Sequence, residues 1–180
     1  MPIIHINDIA EIQPMDIIVT REKNPISWWI RYKSNGDWSH VCLGGPDGTI
    51  FTTTVQGYKL VRTEKYLDKR KKDFAVYRHT EITEDHIKKG LDKNFRMLEI
   101  PYGYGDLFKL VLSSFRGRVV REVKDNDKTY FCAEAVSETY RDMGLPLLPH
   151  LGIDPSGFTP QRCVEDEQVY LIYLHDRSTK

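Results

Sequence analysis

Through the first half of the chain, apolar and polar positions fall into short runs that end at Gly, Pro, Asn or Asp. Ile12-Gln13-Pro14-Met15-Asp16-Ile17-Ile18-Val19-Thr20 is rich in β-branched residues and predicts a strand. Pro25 to Tyr32 predicts a short helix with Trp29 and Tyr32 facing inward, closed by Asn35-Gly36-Asp37. Trp38 to Leu43 and Thr49 to Val55 predict two strands, and Gly44-Gly45-Pro46-Asp47-Gly48 between them is a hairpin signal. Tyr58 to Val61 and Phe74 to Tyr77 predict further strands, separated by Lys69-Arg70-Lys71-Lys72, a basic run that reads as a solvated loop. The second half turns helical. Ile87, Leu91, Phe95 and Leu98 recur at helical spacing behind Thr83, a plausible N-cap. Pro101-Tyr102-Gly103-Tyr104-Gly105 breaks that pattern, and Asp106 opens a second helix through Leu107, Leu110, Val111 and Ser114. Gly117 to Lys128 is charged and turn-like. Tyr130 to Gly144 predicts a third helix that glycine closes. A loop from Leu145 to Pro160, rich in Pro and Gly, precedes a final strand from Val169 to Leu174. Strands first and helices later favour an α+β fold over alternating βαβ units.

Composition narrows the function. The 180 residues suit one domain, 1–180, and 40 % hydrophobic with 29 % charged residues is ordinary for a globular protein. Twenty-six basic side chains balance 26 acidic ones. A zero net charge argues against a general nucleic-acid binder, which needs a surplus of Lys and Arg on one face. Three cysteines, at 42, 132 and 163, make neither a disulfide framework nor a zinc site. The histidines at 5, 79, 86, 150 and 175 show no metal-ligand spacing. No apolar run approaches the roughly 20 residues that span a bilayer. Met1 to Asp8 has neither a basic start nor a long apolar segment, so no signal peptide is expected and a reducing cytoplasmic setting is the default.

Two residues are candidates for chemistry. Cys132 falls at the start of the third helix, where unpaired N–H groups and the helix dipole stabilise a thiolate and lower its pKa. The same N–H groups suit an oxyanion. Yet Cys132, Val136, Tyr140 and Met143 also form an apolar stripe, and position alone favours a buried structural thiol. His40 lies in Trp38-Ser39-His40-Val41-Cys42-Leu43, where alternation puts Trp38, His40 and Cys42 on one face and Ser39, Val41 and Leu43 on the other. A histidine in an apolar strand needs a polar partner, whether it is a base or a satisfied core residue. A Cys–His pair also needs a group that fixes the imidazole tautomer. The strand after the hairpin, Thr49-Ile50-Phe51-Thr52-Thr53-Thr54-Val55, holds no Asp, Glu, Asn or His, so only threonine hydroxyls are available. Those threonines also suit a half-exposed strand on propensity alone.

Taken in order, these segments resemble the permuted papain-like NlpC/P60 hydrolases, particularly their YaeF/YiiX-type branch. Met15-Asp16-Ile17-Ile18 resembles the family's opening Gly-Asp-Ile strand, with Met where glycine is usual. Trp38 to Leu43 resembles its histidine box. Tyr130-Phe131-Cys132-Ala133-Glu134-Ala135-Val136, about 90 residues on, resembles its cysteine box. Asp154-Pro155 and Phe158-Thr159-Pro160 fit its closing loop. The resemblance covers nearly the whole chain and implies a circularly permuted α+β fold, an antiparallel sheet or small barrel packed against helices. It implies Cys132 as nucleophile and His40 as base. The third polar residue is expected some twelve positions after the histidine, at Thr52, where the family more often has His, Glu, Asn or Gln. An antiparallel pairing that sets Thr52 opposite His40 needs a loop centred near Pro46. The implied activity is an amidase or peptidase working through an acyl-enzyme on an amide or ester, with cell-wall peptides or lipid acyl groups as substrate classes. No metal or organic cofactor is implied. The alternative is a catalytically weak or inactive papain-like module that binds a peptide or lipid headgroup, which the uncharged third position favours.

Overall fold

The structure, a computed structural model, describes residues 5–54, 57–98, 132–154 and 157–177. The expected helix from Asp106, the break before it, the charged stretch from Gly117 to Lys128, Tyr130-Phe131 and Pro155 lie outside those residues. The elements are β1 (Ile17–Arg21), α1 (Pro25–Ser34), β2 (His40–Gly44), β3 (Thr49–Thr54), β4 (Gly57–Arg62), α2 (Thr63–Tyr66), β5 (Asp73–His79), α3 (Glu84–Met97), α4 (Cys132–Met143) and β6 (Val169–His175). Six strands form one sheet in the order β4-β3-β2-β1-β5-β6, every neighbouring pair antiparallel. The expected α+β class with an antiparallel sheet and helices is what the chain adopts.

Both faces of this sheet are covered, which explains why β1 reads as a continuous apolar run rather than an alternating one. Ile17 and Val19 turn to one face, with Met15, Val41, Leu43, Phe51 and Ala75, against Met97 of α3 and Ala133, Val136, Tyr140 and Met143 of α4. Ile18 turns to the other, with Cys42, Ile50, Phe74, Val76 and Ile172, against Ile6, Ile12 and Leu67. Each fully buried side chain of this size contributes about 1.5–3 kcal/mol, so the two-sided β1 anchors the sheet.

Local chemistry sets the boundaries. Asn24 caps α1 by accepting from Ser27 N–H, Pro25 occupies its first turn, and Asn35 ends it in the left-handed region. Thr83 caps α3 by accepting from His86 N–H, and its own N–H donates back to His86 Nδ1. The first strand begins at Ile17 rather than Ile12, because Met15 has φ +68° and turns the chain just before it. That left-handed residue stands where the resembled family has glycine, and three contacts hold it. Its N–H donates to Gly44 C=O at 2.9 Å, its C=O accepts from Tyr140 Oη at 2.8 Å, and its side chain is fully buried. The inward placement expected of Tyr32 is corrected: Trp29 is half-buried, but Tyr32 is 68 % exposed. Its neighbour one turn back is Trp28, and the two rings stack on each other instead of on the core.

The α3–α4 contact is close enough to forbid a methyl group. A Cβ at Gly90 would lie 2.4 Å from Met15 Sδ and 2.8 Å from Met143 Sδ, two buried side chains that would have to shift to admit it. Gly90→Ala should therefore destabilise by about 1–3 kcal/mol through overpacking, against the small gain alanine normally brings to a helix. Urea unfolding checks this: a midpoint equal to or above that of the parent would refute the close-packed contact.

Candidate active site

Strand β2 starts at His40 and pairs with β1 along its length, from Thr20↔His40 to Ile17↔Leu43. Its pairing with β3 is shorter, confined to Leu43↔Phe51 and Gly44↔Ile50. The hairpin therefore opens toward His40. Continued, its register would set Cys42 beside Thr52 and His40 beside Thr54, so Thr52 is not directly opposite the histidine and the loop centres on Asp47 rather than Pro46. Thr52 lies diagonally across the opening, and its Oγ1 stands 2.9 Å from His40 Nε2.

The expected division of faces also needs correcting. Val41 and Leu43 do share the helix-covered face, but Trp38 precedes the strand and packs with them. Cys42 belongs to the opposite layer, its Sγ 3.5 Å from Ile18 C=O. The alternation applies only where the residues are in the ladder.

Helix α4 packs across β2. Its stripe is as read: Val136, Tyr140 and Met143 are buried and half-buried Cys132 packs against them. Cys132, its first residue, meets the open end of the hairpin, where the backbone N–H groups of Val41, Ala133 and Cys132 itself favour the charged form of its sulfur. The thiol thus lies against the residue that follows His40. No hydrogen bond joins the Cys132 and His40 side chains among the described residues.

The hydrogen bonds fix the imidazole. With Thr52 Oγ1 donating onward to Tyr66 Oη at 3.3 Å, the hydroxyl accepts from His40 and the imidazole proton is assigned to Nε2. Nδ1 is left with its lone pair, which is the form a general base needs. Tyr66, on α2, is tilted toward His40 with ring centroids 6.4 Å apart. Above it sits Lys72, its Nζ 3.6 Å from the ring centroid and 3.0 Å from Glu22. Lys72 therefore departs from the expected solvated loop: Arg70 and Lys71 are exposed, whereas the Lys72 side chain is only 16 % exposed.

Burial and then the Lys72 charge push His40 down from 6.5 to about 4, with Glu22 opposing. Burial likewise pushes the Cys132 thiol up, and the three N–H groups against its sulfur only partly offset this. The depressed thiol pKa expected at a helix start is corrected, because desolvation outweighs the helix terminus here. Cys42 and Cys163 are more deeply buried, and burial raises both thiols. At neutral pH the site therefore holds a thiol and a neutral imidazole rather than a thiolate–imidazolium pair.

Sequence reading missed Tyr66, Lys72 and Glu22. No local signal marks them, since they converge from α2, the basic run and the loop before α1. Among the described residues, no group of three or more His, Cys, Asp or Glu side chains can hold a metal ion. No helix among them is long and apolar enough to cross a membrane.

The fold and site together define an α+β protein in which the helix that begins at Cys132 packs on the strand that begins at His40. Among solved structures, the crystal structure of the metalloprotein YiiX from Escherichia coli O157:H7, DUF1105, has this fold. The two superpose with a TM-score of 0.64 at 16 % identity, over 91 % of this chain and 98 % of that one. The chain thus has a YiiX-like fold. Being a metalloprotein is a property of that protein. No family model matches the chain, and neither does any curated protein.

Proposed function

We propose that residues 1–180 form one permuted papain-like domain of the NlpC/P60 kind, and that it is a cysteine-dependent hydrolase of an amide or ester. The observation that carries this reading is the 2.9 Å contact between His40 Nε2 and Thr52 Oγ1, which leaves Nδ1 as the base beside the Cys132 opening. Cys132 Sγ attacks the carbonyl carbon while its proton passes to His40 Nδ1, so the base acts in concert with attack rather than from a preformed ion pair. The backbone N–H of Cys132 stabilises the oxyanion. The imidazolium returns the proton to the leaving amine or alcohol, and water, with His40 again as base, releases the acid from the acyl-enzyme. Peptide, cell-wall-like or lipid-derived acyl groups fit this chemistry, and no cofactor takes part.

A second reading is favoured by one observation. The imidazole is held low and the thiol high, because burial and the Lys72 ammonium outweigh the Glu22 carboxylate that favours an imidazolium. This suits a papain-like module that grips a peptide or lipid headgroup and turns it over slowly or not at all.

An activated ester, p-nitrophenyl acetate, separates the two readings. The hydrolase reading expects an acetyl adduct on Cys132, mapped by mass spectrometry. Adduct formation should fall about 10²–10⁴-fold in His40→Ala, as for loss of a general base. Thr52→Val should cost about 1 kcal/mol, the net worth of a neutral hydrogen bond. Because His40 titrates near 4, the rate should lose its base only as pH falls through that value. An adduct on Cys42 or Cys163, or a rate unchanged in His40→Ala, would refute the assignment. A bound but unreacted ester would establish the binding module.

A further inference from the structure

A second cavity, of about 420 Å³, lies outside the Cys132–His40 opening, between α1 and the loop that follows it. That volume is in the range of small-ligand sites. Three features of its wall are unexplained by folding. Trp28 and Tyr32 are 59 % and 68 % exposed, and they stack on each other at 5.5 Å with planes 8° apart. A large stacked aromatic pair exposed to water offers a contact surface to an apolar partner. Arg31, between them in sequence, has a buried Nε with no hydrogen-bond partner and forms no ion pair among the described residues. A buried guanidinium nitrogen without an acceptor is costly unless a ligand supplies one. Asp37 is exposed on the same wall and is likewise without an ion pair among the described residues.

The wall is built rather than incidental. Gln161 Oε1 accepts from Asp37 N–H at 3.0 Å, and Gln161 packs so tightly on Gly36 that a Cβ there would lie 2.6 Å from Gln161 Cβ. A cation and a carboxylate that are unpaired among the described residues, with an aromatic platform around one cavity, are complementary to a single chemical group. That group is the last residue of a peptide: its carboxylate suits Arg31, its amide N–H suits Asp37, and a large apolar side chain suits Trp28 and Tyr32.

We propose that this cavity binds the free carboxyl terminus of a peptide ending in a large apolar or aromatic residue. Asp37 is three residues before His40, at most about 10 Å of extended chain, and Ser27 Oγ of α1 bonds Ser39 Oγ at 2.6 Å beside it. A bound peptide end therefore lies within a few residues' reach of the His40 opening. Its use as a substrate subsite rests on the hydrolase reading, but its binding does not.

The test uses the full chain carrying Cys132→Ala, so that binding is read whether or not Cys132 is a nucleophile. The probe is the tripeptide Ala-Ala-Phe, compared with its C-terminal amide and with acetate. The readout is the shift of the Trp28 indole N–H in a ¹H–¹⁵N NMR titration, assigned with Trp28→Phe. The free acid should bind at least tenfold tighter than the amide. Arg31→Gln should remove that preference, Arg31→Lys should keep part of it, and Trp28→Ala should weaken acid and amide alike. Equal binding of acid and amide by the parent, which needs no variant to fold, would overturn the proposal. So would a preference that survives Arg31→Gln, or acetate binding as tightly as the tripeptide.

Discussion

Arg78→Met should cost about 3–5 kcal/mol of folding stability, the range for breaking a buried ion pair from one side. Asp16 is 1 % exposed and Arg78 9 %. Both carboxylate oxygens are taken, Oδ1 by Arg78 Nε and Oδ2 by Arg78 Nη2, each at 2.7 Å. Gln13 N–H also donates to Oδ2 at 2.7 Å. Methionine fills much of the arginine's volume but leaves a carboxylate in a low-dielectric layer with one donor in place of three. The damage would reach the candidate site, because Asp16 C=O accepts from Gly44 N–H at 2.8 Å where β2 ends, while Arg78 projects from β5 on the far side of β1. The pair thus ties together three strands, one of which carries His40. Adding Asp16→Asn to Arg78→Met should recover more than half of the loss, since the penalty belongs to the unpaired charge. Urea unfolding at pH 7 measures both. A loss below about 1 kcal/mol for Arg78→Met, the level of an exposed pair, would mean that Asp16 finds water or another partner.

The contrast between what is legible in the chain and what is not follows the range of the interactions. β3, β4, β5, β6, α1 and α3 are readable because period, caps and breakers are local: Thr83, Asn24 and Pro25 sit within a turn of the helices they start. His40, Thr52 and Cys132 are readable as candidates because each is a reactive or polar residue in an apolar setting. Their placement is another matter. The shift of the hairpin centre to Asp47 depends on where β2 and β3 cease to pair, and nothing in Gly44 to Gly48 specifies that. The direction of the Cys132 pKa depends on how deeply the thiol is buried under chain far away in sequence. Lys72 sits in the same basic run as the exposed Arg70 and Lys71, yet it alone meets Tyr66 and Glu22. The positive φ of Met15 is hidden for the opposite reason: local preference argues against it, and the tertiary bonds to Gly44 and Tyr140 impose it.

Lowering the pH from 6.5 to 4 should remove about 3 kcal/mol of folding stability through His40 alone. Unfolded, its imidazole takes a proton near 6.5; folded, burial and the Lys72 ammonium delay protonation to about 4. Between those values the unfolded chain holds more protons, so stability falls as pH falls. The contribution is whole above 6.5, declines through the window, and is fully lost below 4; each pH unit is worth about 1.4 kcal/mol. Other groups titrate nearby. Burial also lowers the His79 pKa. Asp73, although burial opposes its charge, is held at about 2 by Arg177 and Arg21, so its contribution is lost only below the ordinary carboxylate value of 3.8. The quantity to measure is therefore the unfolding free energy of the parent minus that of His40→Gln, at pH 7, 6, 5 and 4. That difference should shrink by about 3 kcal/mol across the series. A difference that stays flat would mean that His40 already takes its proton near 6.5 in the folded chain. Lys72→Gln should raise the folded pKa of His40 and narrow the window, because Glu22 remains to favour the proton. The same neutral imidazole is the base in the proposed reaction. The pH at which its stability contribution is exhausted and the midpoint of its loss of basicity must then coincide near 4, so a denaturation series with no substrate tests whether the site holds a free lone pair at neutral pH.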